Sequence, residues 1–314
     1  MTKSDPALTF AAAVLLLSCW SCPLLAQAPA PSLELLVLGS GGPGAAGRAA
    51  SSYLVFVGGV ARILVDAGPG SFARLGEARA SLSNTDLVLL THLHIDHVGE
   101  LPGLFKARAV SGSGPIVFNV WGPAGSRGHG QDAYFPGTRE FMRLVFGPKG
   151  AFAYLSDFAA PVSIHAHDIA APAANAAPEQ IFKEDDLSIR AVAGHHGDAP
   201  AVIYRIDQGG KSVTFSGDID AGGLPALRDI AKDTNLLVFN SVVLDPPGSP
   251  AILYSLHTPP LAIGELAKAV GAHGLLLGHL SPGVEENRGA VMKSIRRNYQ
   301  GPVTFANDGL RARP

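Results

Sequence analysis

The apolar positions of this chain fall into short runs broken by glycine and proline, the punctuation of strands rather than of long helices. "LELLVLG", "SSYLVFV" and "VARILVDA" read as three successive strands, with a glycine loop after the first and the turn "GG" after the second. A helix is predicted over 70–80, a buried strand over "DLVLL", and a helix opening in "HVGELPGLFKARAV". "PIVFNVWGP" is a further strand, and residues 122–160 hold a Gly-rich loop followed by helical patterning in "TREFMRLVFGPKGAFAYLSDF". Strands are predicted at 162–168, 187–193, 201–207 and 211–215. "TNLLVFNS" and "GLLLGHLSP" are buried strands ending in polar residues, with the amphipathic helix "PPLAIGELAKAVGA" between them. A helix at 285–299 and the strand "PVTFAN" close the chain, and the Ala-rich "IAAPAANAAPE" reads as a linker or surface loop. Strands dominate the first two-thirds and helix–strand alternation the last third, which is the pattern of an α/β protein.

Gly39, Gly41 and Gly44 satisfy G-x-G-x-x-G behind a strand. A dinucleotide fingerprint needs a helix next. The next segment, "SSYLVFV", is β-branched and aromatic, so these glycines are read as a loop between strands.

The beginning of the chain reads differently from the rest. "MTKSDPALTFAAAVLLLSCWSCPLLAQA" has an early lysine, an apolar stretch over Phe10–Leu17 and small residues at Ala26 and Ala28. That is the pattern of a secretory signal over 1–28, cut after Ala28. A lipoprotein signal ending at Cys19, with a lipid anchor there, is the other reading. The apolar run is too short for a membrane span. The expectation is an exported protein, periplasmic or secreted, whose mature domain covers 29–314. Both cysteines, Cys19 and Cys22, lie in the leader, so that domain has neither a disulfide nor a thiolate ligand. Net charge is -2 and the isoelectric point is about 6.6. A protein that works by holding nucleic acid usually carries a basic excess, so nucleic acid is not the expected partner.

The stretch "THLHIDHVGE" crowds His92, His94, Asp96 and His97 behind the apolar run "TDLVLL". At a strand end, residues two apart point the same way. His92 and His94 are therefore placed to grip one ion, while the turn brings Asp96 and His97 round to a neighbouring one. Imidazole and carboxylate are natural zinc donors. "AGHHGDAPAVIYRI" adds His195 and His196, "SVTFSGDID" adds Asp218 with two oxygens to bridge both ions, and "LLLGHLSP" adds His279. Each stands at the end of an apolar run, where α/β scaffolds gather functional groups. A lone histidine in such a place is usually a structural hydrogen-bonder; together these fill two ion shells. His165 and His167 share a strand face but have no carboxylate at useful spacing. His129 and His273 read as surface or packing residues, and "KSIRRNYQ" as the solvated face of a helix.

The motifs "VDAGPG", "THLHIDH", "HHGDAPA", "SGD" and "GHLSP", in that order, resemble those of the metallo-β-lactamase superfamily across nearly the whole mature domain. "THLHIDHVGELPGL", "GPKGAFAYLSD" and "SLHTPPLAIGELAKAVGAHGLLLGHLSP" are similar to the branch that contains ribonuclease Z, the zinc arylsulfatases and phosphodiesterases. The resemblance implies a four-layer αββα sandwich of two mixed sheets flanked by helices, with 122–160 as an insertion particular to the family. It implies two zinc ions per chain. One takes His92, His94, His196 and Asp218; the other takes Asp96, His97, Asp218 and His279. His196 is preferred to His195 because H-x-x-x-P before "AxxYR" matches the branch, which leaves His195 as a support behind the ligands. Asp96 also orients the attacking water or accepts its proton, His257 of the "HT" motif contacts the reacting group, and Asp66 buttresses a ligand without touching metal. Zinc is preferred to iron because di-iron relatives carry Glu where His94 stands.

The activity expected on this resemblance is hydrolysis of a small phosphodiester or sulfate ester by a metal-activated water. Ribonuclease Z-type cleavage at the 3′ end of transfer RNA, lactone or lactam hydrolysis, and a non-catalytic metal-binding module are the alternatives. Homodimerisation, with 122–160 as dimer surface or lid, is left open.

Overall fold

The computed structural model describes Met1, Thr2 and residues 32–314, apart from residues 45, 128–133, 159 and 171–176. Residues 3–31, with Cys19, Cys22 and the cleavage expected after Ala28, lie outside the described residues, as do His129 and most of the Ala-rich stretch. Among the described residues no helix is long and apolar enough to cross a membrane.

The first sheet is built from β1 (Leu33–Gly39), β2 (Ser52–Val57), β3 (Val60–Ala67), β4 (Leu87–Leu89), β5 (Ile116–Pro123), β8 (Val162–Ile169) and β16 (Arg311–Ala312), in the spatial order β16-β1-β2-β3-β4-β5-β8. A short ribbon of β6 (Ser126–Arg127) and β7 (Tyr134–Phe135) stands apart. The second sheet holds β9 (Glu179–Glu184), β10 (Leu187–Ala193), β11 (Val202–Gln208), β12 (Lys211–Phe215), β13 (Leu236–Asn240), β14 (Leu275–Gly278) and β15 (Val303–Phe305), in the order β15-β14-β13-β12-β11-β10-β9. Each sheet starts as antiparallel hairpins, β1-β2-β3 and β9-β10-β11-β12, and continues in parallel through later strands. The two halves thus share a plan that no sequence repeat announces.

Side-chain alternation along the strands generates the layers. Leu33, Leu35 and Val37 of β1 enter the core between the sheets, where they meet Tyr204, Val213, Phe215 and Val238. Leu36 and Leu38 point the other way, into a core shared with Leu104 and Phe105 of α3 (Leu101–Ser111) and Met142 of α4 (Thr138–Phe146). Leu237 and Phe239 of β13 likewise face Leu227 of α5 (Leu224–Ile230), Ile263 and Leu266 of α6 (Pro260–Ala269) and Val291 of α8 (Arg288–Ile295). Both faces of each sheet are covered, so the central strands read as near-continuous apolar runs. Each fully buried Leu or Val contributes about 1.5–3 kcal/mol. The chain is therefore an α/β protein with two mixed sheets flanked by helices.

Several local features differ from the sequence expectation; among them, α5, the β6–β7 ribbon and β16 have no predicted counterpart. The helix expected from His97 begins earlier, as the single turn α2 (Ile95–Val98), and pauses at Gly99 before α3. The helix expected over 285–299 is divided at Asn287 into α7 (Pro282–Glu286) and α8; Ser281 caps α7 by accepting from Val284 N at 3.2 Å. Strand β9 has no counterpart in the expected elements: "EQIFKE" lies at the sheet edge and has only Ile181 and Phe182, half-buried, to pack against the core. Within the 122–160 segment, Met142 and Leu155 pack into the outer core of the first sheet.

The ends of β3, β4, β10, β12, β13 and β14 carry the chemistry. Val202 N donates to Thr91 O at 2.7 Å and the Tyr204 hydroxyl to Leu90 O at 3.0 Å, tying the second sheet to the loop after β4.

Candidate metal centre

Four groups of possible ligand atoms meet between the two sheets. His92, His94 and His196 form one; Asp96, His97 and His279 form another; His92, His97 and Asp218 share a residue with each, and His196, Asp218 and His257 share His196 with the first. Within each group the ligand atoms lie within 4.8 Å of one another. Oδ2 of Asp218 is their common point. It stands 3.9 Å from His92 Nε2, 3.7 Å from His97 Nε2, 3.8 Å from His196 Nε2 and 3.3 Å from His279 Nε2. Its partner oxygen Oδ1 is taken up by Asn240, whose amide donates to it at 2.6 Å. A single oxygen of Asp218 therefore faces both groups.

The histidines are held so that their free nitrogens aim inward. His97 Nδ1 donates to Asp66 Oδ2 at 2.7 Å, leaving Nε2 to point at Asp96 and Asp218, 3.7 Å from an oxygen of each. Asp66 also accepts from Thr91 N and Thr91 Oγ1, both at 2.8 Å. The Thr91 hydroxyl, its proton directed at Asp66, accepts in turn from His92 Nδ1 at 3.2 Å. His196 Nδ1 donates to the carbonyl of Leu256 at 2.8 Å. A ring N–H fixed on a carboxylate or carbonyl sets the tautomer and presents the other nitrogen to a metal. Asp66 and His279 both hold left-handed backbone, φ 54° and 51°, a conformation that costs about 1–3 kcal/mol outside glycine and gathers at functional sites.

Two glycines let the loops close in. A Cβ on Gly42 would stand 2.4 Å from His279 Cε1, and one on Gly217 (φ 59°) would stand 2.7 Å from Thr91 Cβ. The loop that mimics a dinucleotide motif thus packs against a candidate ligand, with strand rather than helix after it.

The electrostatics suit a cation. Burial opposes charge on Asp218, but His279 and His97 outweigh it and hold the carboxyl well below its usual range. Burial, with His97 beside it, drives His92 well below the usual imidazole value, and burial lowers His94 too. Burial also pulls on His97, yet Asp66 and Asp218 prevail and raise it well above that value. Nε2 of His92 and of His97 are buried with no hydrogen-bond partner among the described residues. Such orphans are costly unless something binds them. Two donors each ~2.0–2.1 Å from one tetrahedral zinc stand about 3.3–3.5 Å apart. His279 Nε2 and Asp96 Oδ2, 3.1 Å apart, are within hydrogen-bond reach, but the 3.3–3.9 Å separations from Asp218 Oδ2 to the four histidines are too long for good hydrogen bonds and suit shared ions. The clusters fit a dinuclear metal site.

The other expected residues take different places. His195 turns away from the cluster, its Nδ1 lying 2.7 and 2.8 Å from the two oxygens of Asp220. His257 is buried beside the cluster, its Nδ1 3.9 Å from Asp218 Oδ2; burial lowers its pKa to about 4. His165 and His167 join no such group, and His167 stacks on Trp121. His273 lies 3.2 Å from the Asn235 amide. Sequence reasoning missed Thr91, Asn240, Asp220 and the Leu256 carbonyl. A hydroxyl directly before the first histidine and an amide ending the strand after "SGD" are signals, but only the fold brings them together.

The family model of the Beta-lactamase superfamily domain matches residues 61–280, and the chain belongs to that superfamily. Ribonuclease Z of Mycobacterium avium (strain 104) is 28% identical over 291 residues, spanning 88% of this chain and 96% of that protein. Human tRNase Z, short form (ELAC1), superposes with a TM-score of 0.67 at 20% identity, over 89% of this chain and 98% of that one. The metallo-beta-lactamase fold protein YhfI from Bacillus subtilis gives a TM-score of 0.62 at 22% identity with the same coverage. The chain is a metallo-hydrolase of that superfamily and is similar to ribonuclease Z.

Proposed function

We propose that the protein is a dinuclear zinc phosphodiesterase that performs the ribonuclease Z type of reaction, hydrolysis of a phosphodiester. The carrying observation is the convergence of His92, His94 and His196 on one side, and Asp96, His97 and His279 on the other, around one oxygen of Asp218. This donor set is rich in nitrogen and free of thiolate, which suits zinc. When bound, two such ions lower the pKa of water from about 15.7 toward ~7 and draw charge from an ester oxygen.

The chain's own groups supply the rest. Asp218, anchored by Asn240, and Asp66, anchored on Thr91, fix the donors before substrate arrives. Asp96 sits at the cluster's edge, where its carboxylate can orient the attacking water and take its proton. His257, kept neutral by burial above about pH 4, offers a ring N–H to an ester oxygen. The relatives' names favour a phosphodiester over the sulfate ester, lactone or lactam that the motif resemblance also allows, and they make RNA the first substrate to try. The leader is read as the export signal of this enzyme. The test is turnover of precursor tRNA, bis(p-nitrophenyl) phosphate, p-nitrophenyl sulfate and a lactone by zinc-loaded protein. Phosphodiester cleavage that disappears in Asp218→Ala together with bound zinc supports the reading; cleavage of the sulfate or lactone alone overturns it.

A further inference from the structure

Beside the metal donors lies a cavity of about 250 Å³. His94, Asp96, His196, Asp218, His257 and His279 form its floor. Its walls come from separate loops: Pro43, Val242, Leu253, Leu256, Leu280 and Pro282. Among the described residues no lysine or arginine lines it. The wall's one hydroxyl is already committed, since Ser281 Oγ donates to Val242 O at 2.7 Å and accepts from Val284 N at 3.2 Å. Apolar walls with polar groups gathered at one end orient a ligand whose reactive part is polar and whose remainder is not.

The leucine wall is fixed to the chemistry. Leu256 offers its carbonyl to His196, and a Cβ on neighbouring Gly197 would stand 2.8 Å from Leu256 Cδ2. The one-turn helix that carries Leu253, Ala251–Ser255, is pinned by Tyr254. That hydroxyl donates to Leu244 O at 2.8 Å and accepts from Gly248 N at 3.0 Å and Ser249 N at 3.2 Å. A group seated against these leucines is therefore held at a set distance from the metal donors.

We infer that this cavity takes a flat, uncharged apolar ring borne by the ester, and that Leu253 and Leu256 set the preference; the inference rests on the phosphodiesterase reading above. A nucleobase would lose the water on its polar edge and find no free side-chain partner in the walls. A polyanionic backbone would find no lysine or arginine in these walls. An aryl ester loses only apolar hydration, which favours binding. The volume, below the ~300–1,000 Å³ of pockets for drug-sized ligands, limits the group to about one ring system. The substrate class is an aryl phosphodiester.

Calorimetry on the zinc-loaded full-length protein with phenylphosphonate, methylphosphonate and uridine 5′-monophosphate reads the cavity without turnover. Phenylphosphonate is expected to bind roughly ten- to one-hundredfold tighter than methylphosphonate, with uridine 5′-monophosphate close to the methyl compound. Leu253→Asn is expected to remove most of the phenyl preference and leave methylphosphonate affinity unchanged. Leu253→Ala, a milder change at a half-buried position, serves if the first variant does not fold. Equal affinity for the phenyl and methyl probes, tighter binding of the nucleotide, or an undiminished preference in a folded variant overturns the inference. Failure of the phosphodiesterase reading looks different: selective phenylphosphonate binding with no hydrolysis of bis(p-nitrophenyl) phosphate removes that reading and leaves the ring site standing.

Discussion

Asp66→Asn is the sharpest perturbation this site permits. Asparagine keeps the shape of the side chain and tolerates left-handed backbone, so the φ of 54° at this position is no obstacle. Its oxygen still accepts from Thr91 N. Its amide, however, puts a donor where His97 Nδ1 and Thr91 Oγ1 now find an acceptor at 2.7 and 2.8 Å. His97 must then accept at Nδ1 and carry its proton on Nε2, the atom aimed at Asp96 and Asp218. A buried hydrogen bond to a charged group is worth about 1.5–3 kcal/mol. That corresponds to the ~10–100-fold loss of metal affinity typical when a ligand's supporting partner is removed. Chelator competition should show one of the two zinc ions weakened by that factor, with the ion held by His92, His94 and His196 less affected. Nitrogen-15 spectra of the metal-free variant should show His97 with Nδ1 deprotonated and its proton on Nε2. Two zinc ions bound at wild-type affinity would refute the reasoning.

The same geometry sets other outcomes. Asp220 ties the loop of His196 to the loop of Asp218, bonding His195 Nδ1, Gly197 N at 3.0 Å and Gly222 N at 2.7 Å; Asp220→Ala should weaken zinc at the His94–His196 side about tenfold. Asp220→Asn, which keeps an acceptor for the amides, should recover part of it, and equal loss in both would contradict the clamp. His97 holds a proton above the usual imidazole range, so zinc uptake near neutral pH should release about one proton per chain. Calorimetry in two buffers of different ionisation enthalpy measures that release, and a value of zero would contradict it. Because His257 falls from 6.5 unfolded to about 4 folded, the unfolded chain binds the proton first as pH drops. Metal-free protein should then lose about 3 kcal/mol between pH 6.5 and 4 through this group, with no contribution above that window. Urea unfolding of His257→Gln should show a shallower slope across the same window; an unchanged slope would remove His257 as its source.

How much of this was legible in the sequence depended on whether local pattern or long-range contact set each feature. Strands such as β1 and β13 are buried on both faces, so their apolar runs announce them. Edge elements are silent: Glu179–Glu184 and Arg311–Ala312 bury little, and nothing in their composition separates them from loop. The metal donors were visible because histidine and aspartate at the ends of apolar runs are chemically conspicuous. Their orienting partners were not. Asn240 on Asp218, Leu256 O on His196 and Gly42 under His279 are each brought together by the tertiary fold, at separations that no local motif spans. Sequence alone offers both oxygens of Asp218 to the ions; Asn240 claims one of them, a consequence of the parallel pairing of β12 with β13.

Anomalous diffraction at the zinc edge, from crystals of the zinc-loaded protein, tests the central claim most directly. Two peaks are expected, one among His92, His94 and His196 and the other among Asp96, His97 and His279, with Asp218 Oδ2 between them. A single peak, or a zinc ion ligated by His195 in place of His196, would contradict the account.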